Sequence, residues 1–534
     1  MVKNKNKFET VLVFVFFTLL VTLMNFNMQS FSCDPIWLFH MMQKVSNGYL
    51  LYTDINAIVG PVFYVLGGIV FKIFGANFIT FNIFGGVIYG AIAALFYNTV
   101  KEINVHENKM INILSILVLY FFTTYIGFAN YNSLLVFFIM CAIFVEIRKV
   151  KNKGGKYSNF LIGIFLGLAF FTKQTLGGMA VIATGLVSLI DGLIIKKKNP
   201  FREILEKAAG FFIALIPIVL LMLGFGNFTD YIDLCFGGIF EFGGNNFSYG
   251  GVTYYIAIMS GILLGGFFAL KVKKEDTEFL VIILYALSFM LFAYPIINSY
   301  HIHIATIFIW FVLVKILNVC LEGGSQGTFK ILSIFPLILF VISAYQNMTM
   351  NENAVVMTII KMLLDILLIA GFGASLIKEN HVIVSRVAKI SFAILMIALS
   401  LNYFKNVREN EVPEGLEVYA YAGFETERLN QIANVIKYIE TKEEEGYKVY
   451  VVSWDASEYM VPMNRNNNKY DLLFNGNLGY KGKEKILEEI KNFENTIILK
   501  NKQTFWQEPE EIAKYIKENY TKIDEIENLD VYAK

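Results

Sequence analysis

Two aspartates, a lysine and a pair of histidines stand where chemistry could be done at a membrane surface. Residues 27–56 read NMQSFSCDPIWLFHMMQKVSNGYLLYTDIN and carry Asp34 and Asp54. Turns between later apolar runs add Asn130 and Asn132, Lys173 and Gln174, Asp230, Asp233 and Glu241, and then Asn298, Tyr300, His301 and His303. A carboxylate at the lipid–water boundary can deprotonate an acceptor hydroxyl, and a nearby cation can offset charge on a departing phosphate. The set therefore suits transfer from a phosphate anchored in the membrane. Plainer roles exist for each residue. A loop aspartate commonly caps a helix or faces water, and a lysine at the end of a span commonly snorkels to the interface. His301 and His303, two apart, would not share a helix face, and two histidines alone make no metal site. Lys361 and Asp365 stand an i,i+4 step apart inside an apolar run and read as an internal ion pair. Trp37, His40 and Tyr52 suit a membrane interface, and Asn47-Gly48-Tyr49 suggests a turn.

The elements that must position these residues follow from composition. The chain has 534 residues, 56% of them hydrophobic and only 17% charged, with 50 Phe and 29 Tyr. A soluble protein could not shield that much apolar surface, whereas lipid removes the difficulty. A net charge of +1 provides no global field for nucleic acid. The four cysteines, Cys33, Cys141, Cys235 and Cys320, show no CxxC spacing and read as packing residues. Lys3, Lys5 and Lys7 precede an apolar run from Phe8 to Phe26, with no small-residue cleavage site after it, which predicts an uncleaved signal anchor.

Roughly fourteen apolar runs of near-spanning length recur down to Phe404. With the lysine-rich N-terminus in the cytoplasm, an even count would export the most basic loops, Arg148–Lys156, Lys196–Arg202 and Lys271–Lys274, against the positive-inside bias. One run before residue 148 must then fail to cross. The stretch 57–74, with Gly60-Pro61, Gly67-Gly68 and Lys72, is the expected exception, a juxtamembrane helix at the outer interface. About thirteen spans remain. The stretch 160–195 becomes a hairpin turning at Thr172-Lys173-Gln174, and 227–251 becomes a long Gly-rich outer loop. The reading is of an α-helical polytopic plasma-membrane protein, with residues 1–404 forming the membrane domain and 27–77 its first outer loop.

Composition changes after Phe404. Leu429, Ile432, Ile436 and Ile439 mark an amphipathic helix, Lys448–Ser453 and Thr496–Leu499 read as strands, and 483–493 and 509–519 as helices. Residues 405–534 thus form a small soluble α/β domain, on the outer face by the span count. Arg465-Asn466-Asn467-Asn468 reads as a loop within it.

The first loop resembles the opening of the GT-C glycosyltransferases, most closely the lipopolysaccharide-core (Rgt-type) and aminoarabinose transferase relatives and the protein O-mannosyltransferases. Asp34 matches their first-loop carboxylate, Gly48 to Asp54 their G-x-x-x-Y-x-D stretch, Gly60-Pro61 with Tyr64 their G-P-x-x-Y helix, and Phe74-Gly75 their F-G. Lys173-Gln174 resembles a K-Q turn of the family, and Tyr300-His301 a His-Tyr motif in reversed order. Two features differ: the first-loop acidic pair is Asp34-Pro35 here, and the arginine common after F-G is absent around Phe81-Asn82. The resemblance implies an inverting transferase at the outer face. Its donor would be a polyprenyl-phosphate sugar, and its acceptor an envelope glycan, lipid or protein. Asp34 would be the catalytic base supported by Asp54, while Lys173, Gln174, Tyr300, His301 and His303 would bind substrate. Membrane lipid is an expected partner and nucleic acid is not; no cofactor is called for, and a divalent metal is compatible with the sequence. Two other classes fit the composition. One is a flippase for lipid-linked sugars, which should line a mid-membrane path with ionisable groups; the other is a non-catalytic envelope scaffold.

Overall fold

The polar turns found in the sequence break the apolar runs into helices that stack antiparallel, and their loops collect at two opposite ends. The computed structural model describes residues 2–26, 33–104, 109–125, 127–190, 192–193, 198–238, 307, 310–311, 314, 412–467, 469–471, 473–475, 477–503 and 508–534. Helix α1 (Val2–Asn25) is followed by two shorter helices in the first loop, α2 (Cys33–Ser46) and α3 (Val62–Phe74). Then come α4 (Phe78–Ile103), α5 (Lys109–Tyr125), α6 (Tyr131–Val150), α7 (Ser158–Thr172), α8 (Gln174–Ile190) and α9 (Phe201–Phe225). A short helix α10 (Phe228–Ile232) continues into a π turn, Asp233–Gly237.

Among the described residues, three stretches are long and apolar enough to cross a membrane, Lys7–Asn25, Phe78–Ile103 and Phe201–Phe225. Helix α9 shows what solvent surrounds them: Leu220 and Leu221 are each 61% exposed, and Phe212, Ile213 and Ile216 are exposed as well. Only lipid makes such a surface stable. Helices α1 and α4 approach closely because Gly86 and Gly90 form a GxxxG stripe against α1. A side chain at Gly90 would sit 2.7 Å from the Phe14 carbonyl oxygen. Helix α3 rises about 20 Å along its axis at 1.5 Å per residue, short of a hydrocarbon core of about 30 Å.

The two ends of the bundle differ in chemistry. At one end Lys101 pairs with Glu9 at 2.7 Å and Lys153 with Glu102 at 2.7 Å. The basic stretches after α6 and before α9 lie there too, joined through Lys149, Glu146, Glu203 and Lys207. The opposite end gathers α2, α3, the turn between α7 and α8, α10 and the C-terminal domain.

That domain contains α11 (Thr426–Glu444), β1 (Lys448–Val451), α12 (Ala456–Met463), α13 (Gly482–Lys491), β2 (Thr496–Asn501), α14 (Glu510–Asn519), β3 (Thr521–Ile526) and β4 (Leu529–Ala533). The sheet order is β1-β2-β4-β3, with β1 parallel to β2 and the other pairs antiparallel. Leu429, Ile432, Val435 and Ile439 bury one face of α11, a 3-3-4 spacing that follows the helical period. Ile436, expected on that stripe, is only partly buried. The strands expected at 448–453 and 496–499 and the helices expected at 483–493 and 509–519 are found within a few residues; the β3–β4 hairpin is additional. The apolar runs expected from 252 to 404, the loop beyond residue 238 and the Lys361/Asp365 pair lie outside the described residues.

Candidate active site

Asp34 stands in the first turn of α2, where a carboxylate complements the helix dipole. Phe39, one face further on, anchors the helix: it stacks on Phe78 at 4.5 Å and packs on Phe71 at 4.8 Å and Phe81 at 5.8 Å. Helix α3 brings Tyr64 under Asp34. Tyr64 is fully buried, and its hydroxyl has no hydrogen-bond partner. Burial pushes that phenol well above its usual range, and Tyr131, Cys235 and the negative Asp34 add to the effect. Tyr64 therefore stays protonated and keeps its hydroxyl as a donor.

Lys173 closes the other side. It is the one residue between α7 and α8, in extended backbone (φ −151°, ψ 105°). Its Nζ donates to Asn132 Oδ1 at 2.8 Å and lies 5.1 Å from the centre of the Tyr131 ring. Asn132 and Tyr131 are fixed by the start of α6, where Asn130 and Ser133 form a reciprocal capping box. Burial lowers the Lys173 ammonium to about 8. No carboxylate pairs with it among the described residues. Tyr131, Asn132 and Lys173 are in direct contact, and Tyr64 links them electrostatically to Asp34, which makes the arc of the candidate site.

A glycine holds the arc together. A Cβ at residue 60 would overlap the Phe171 carbonyl, so the Gly60-Pro61 entry to α3 can rest on the end of α7 only without a side chain. Gln174 locks the same junction. Its Nε2 donates to the carbonyls of Ile58 and Cys235, each at 2.8 Å, and its Oε1 is buried without a partner.

Asp54 is placed differently. Its Oδ2 accepts from the Leu50 amide at 2.8 Å, closing the turn 50–54, while Asn466 donates to its backbone carbonyl at 3.3 Å. Beside it Thr53 donates to Asp230 Oδ2 at 3.2 Å. Asp233 lies in the π turn. Tyr300, His301 and His303, with Asn298 and Glu241, lie outside the described residues. Among the described residues no three His, Cys, Asp or Glu side chains gather to hold a metal ion. Cys235 is a free, buried thiol packed on the carbonyls of Ala57 and Val59.

Trp37, His40 and Tyr52 do not face lipid headgroups as expected: they are 6%, 1% and 0% exposed. The reason is that α2 is sandwiched between α3 and the C-terminal domain. His40 bonds Ser457 Oγ at 3.2 Å and the Arg465 carbonyl at 3.0 Å, and Lys44 forms a buried ion pair with Asp471. Gln43 donates to the Val461 carbonyl at 3.1 Å, and Asn56 to that of Asn477 at 2.5 Å. Tyr64 stood in the quoted G-P-x-x-Y motif without a role, and neither Tyr131 nor this seam was singled out from sequence. Only Asn130 and Asn132 pointed toward Tyr131.

The chain thus combines a helical membrane core, a first loop with its own helices, and a small α/β domain clamped onto that loop, and the likeness to GT-C glycosyltransferases expected from the sequence is found in comparisons with known proteins. Residues 59–222 match the family described as dolichyl-phosphate-mannose-protein mannosyltransferase. That segment holds Tyr64, Tyr131, Lys173 and Gln174; Asp34 and Asp54 precede it. The fold is similar to that of ArnT from Cupriavidus metallidurans in the apo state, at 12% identity over 98% of this chain and 97% of that one, with a TM-score of 0.53. ArnT from the same organism bound to undecaprenyl phosphate aligns over the same shares at 10% identity, with a TM-score of 0.49. No curated protein sequence matches the chain.

Proposed function

We propose that the chain is an inverting glycosyltransferase that moves a sugar from a polyprenyl-phosphate carrier to an envelope glycan, lipid or protein at the outer membrane face. The observation that carries the reading is Lys173, a half-buried cation whose partners are an amide oxygen and an aromatic ring, on the same side of the bundle as Asp34. Burying a charge without a counter-charge is costly unless something supplies one. A lipid phosphate would supply it. Asp34 would take the proton from the acceptor hydroxyl as that oxygen attacks the anomeric carbon. The bond to the carrier phosphate breaks on the opposite side, its electron pair leaves with the phosphate oxygen, and Lys173 offsets the charge that appears there. Tyr64 would donate from below. Asp54 and Gln174 are positioning residues in this scheme, holding the first loop against the C-terminal domain and the α7–α8 turn. Tyr300, His301 and His303 would complete the phosphate side from the later loop.

The outer-face placement rests on the two described basic stretches, after α6 and before α9, which share one end with the lysine-rich N-terminus while Asp34 is at the other. The test is transfer from radiolabelled lipid-linked sugar in membranes. Asp34→Asn should lower transfer by about 10²-fold or more, as loss of a general base does. Transfer that survives Asp34→Asn undiminished would remove the base from the scheme.

A further inference from the structure

A second polar cavity lies at the far end of α2, about 14 Å along the helix from Asp34 at 1.5 Å per residue. Its volume is about 580 Å³, and it is walled by the C-terminal ends of α2 and α3 on one side and by α12 of the C-terminal domain on the other. We infer that this cleft binds the phosphate-bearing headgroup of an anionic bilayer lipid, and so ties the first loop, the C-terminal domain and the membrane surface together.

Three observations carry this. Lys72 lines the cleft, is exposed, and has no carboxylate partner among the described residues, and none of the lining residues is acidic. Gln43 forms part of the floor and is only 4% exposed. Its Nε2 is committed to Val461, and its Oε1 is buried with no hydrogen-bond partner. A buried acceptor left unpaired costs stability and is satisfied by a ligand hydroxyl. The third observation fixes the depth. Helix α3 exposes Leu66, Ile69, Ile73 and Phe74, the last two at 67% and 69%, while Val62, Phe63, Gly67, Gly68 and Phe71 pack inward. That division is a helix lying in the interface with its apolar side in lipid. Lys72, next to Ile73, then sits at headgroup level, so the cleft opens where phosphates are densest. Its mouth is held by Asn47 Nδ2 donating to Asn464 Oδ1 at 2.9 Å, one residue from each wall. A headgroup carrying both phosphate and hydroxyls, as phosphatidylglycerol does, meets the ammonium and the free amide oxygen together.

The experiment uses the full-length protein, with a benzophenone amino acid at Ala76 beside the cleft, reconstituted into equal parts phosphatidylglycerol and phosphatidylcholine. After irradiation, lipid adducts are counted by mass. Phosphatidylglycerol adducts should exceed phosphatidylcholine adducts by about fivefold, the bias that one lysine near anionic lipid provides. Lys72→Gln should bring the ratio toward one, and Lys72→Arg should keep it. Asn47→Asp, which adds a carboxylate at the mouth, should lower it without touching Lys72. A ratio near one in the unsubstituted protein, or one unmoved by Lys72→Gln, overturns the proposal. Loss of the adducts on adding excess inorganic phosphate also overturns it, since the cleft would then be a site for soluble phosphate.

Discussion

Helix α7 has a lysine packed at each end, Lys207 buried and Lys173 half-buried, and the two are equipped in opposite ways. At its start, Lys207 of α9 lies 2.9 Å from Glu146, 2.8 Å from Glu203 and 2.8 Å from the Ser188 hydroxyl, with Lys149 completing the network at 2.7 Å from Glu146 and 2.6 Å from Glu203. At its end, Lys173 has Asn132 and the face of Tyr131. The first lysine has its charge cancelled within the fold. The second has only partial charges around it, and burial alone has moved it toward neutrality. A paired buried cation holds helices together, whereas one given only neutral partners is prepared for an anion from outside.

The largest expected effect comes from breaking the paired end. Lys207→Met should destabilise the protein by about 3–5 kcal/mol, because Glu146 would keep only Lys149 as counter-charge in a buried setting. Thermal unfolding in detergent would show it as a large fall in Tm, or as loss of folded protein. If Lys207→Met leaves Tm unchanged, the network is not what fixes α6, α7 and α9. Lys173→Met should act in the opposite sense. It removes an uncompensated, half-buried charge, so Tm should hold or rise, while transfer from lipid-linked sugar falls by about 10²–10³-fold, as when one electrostatic contact to a leaving group is lost. A matched loss of stability at both positions would erase the contrast.

The lowered Lys173 ammonium sharpens it further. In the free protein kcat/KM should decline above about pH 8, tenfold per unit, as the cation is lost. Stability should move the other way. The unfolded lysine titrates near 10.4, so between about 8 and 10.4 the unfolded chain binds more protons and stability rises with pH. Lys173→Arg should carry the descending limb of activity beyond the accessible range, because the guanidinium stays charged. A limb that stays in place in the arginine variant would belong to another group.

What could be seen in the sequence was whatever local rules govern. The apolar runs before residue 239, the turn at Lys173 and both parallel strands of the C-terminal domain each follow from periodicity or polar breaks over a short window. What escaped depended on distant contacts. Residues 33–46 read as loop because Asp34-Pro35 and Gln43-Lys44 interrupt the apolar pattern, yet they are helical because the C-terminal domain takes up their polar side chains; Lys44 and Asp471 are 427 positions apart. Strand β3, Thr521–Ile526, is exposed along most of its length and so lacks an alternating pattern. It is specified by pairing with β4, whose Leu529 and Val531 are buried. Tyr64 lay inside the quoted G-P-x-x-Y motif, but its place under Asp34 depends on Gly60 meeting Phe171, a contact that no spacing encodes.

The smallest expected effect concerns the seam that holds Asp34's helix. His40 lies between Ser457 and the Arg465 carbonyl, with Lys44 and Asp471 beside it, and burial, aided by the Lys44 charge, keeps its pKa well below 6.5. The native state thus holds a neutral imidazole, while the unfolded chain takes up a proton near 6.5. This contribution to stability is full above that value and is lost as pH falls below it, at no more than about 1.4 kcal/mol per unit. Melting followed between pH 7.5 and 5.5 should show this slope in the unsubstituted protein and a shallower one in His40→Asn, whose amide can still bond both Ser457 and Arg465. The effect belongs to α2 and not to Lys173, so the kcat/KM limb above pH 8 should be unmoved in His40→Asn. If that limb shifted as well, the seam and the arc would be one coupled unit, and the separation between a structural and a ligand-ready end of the bundle would have to be redrawn.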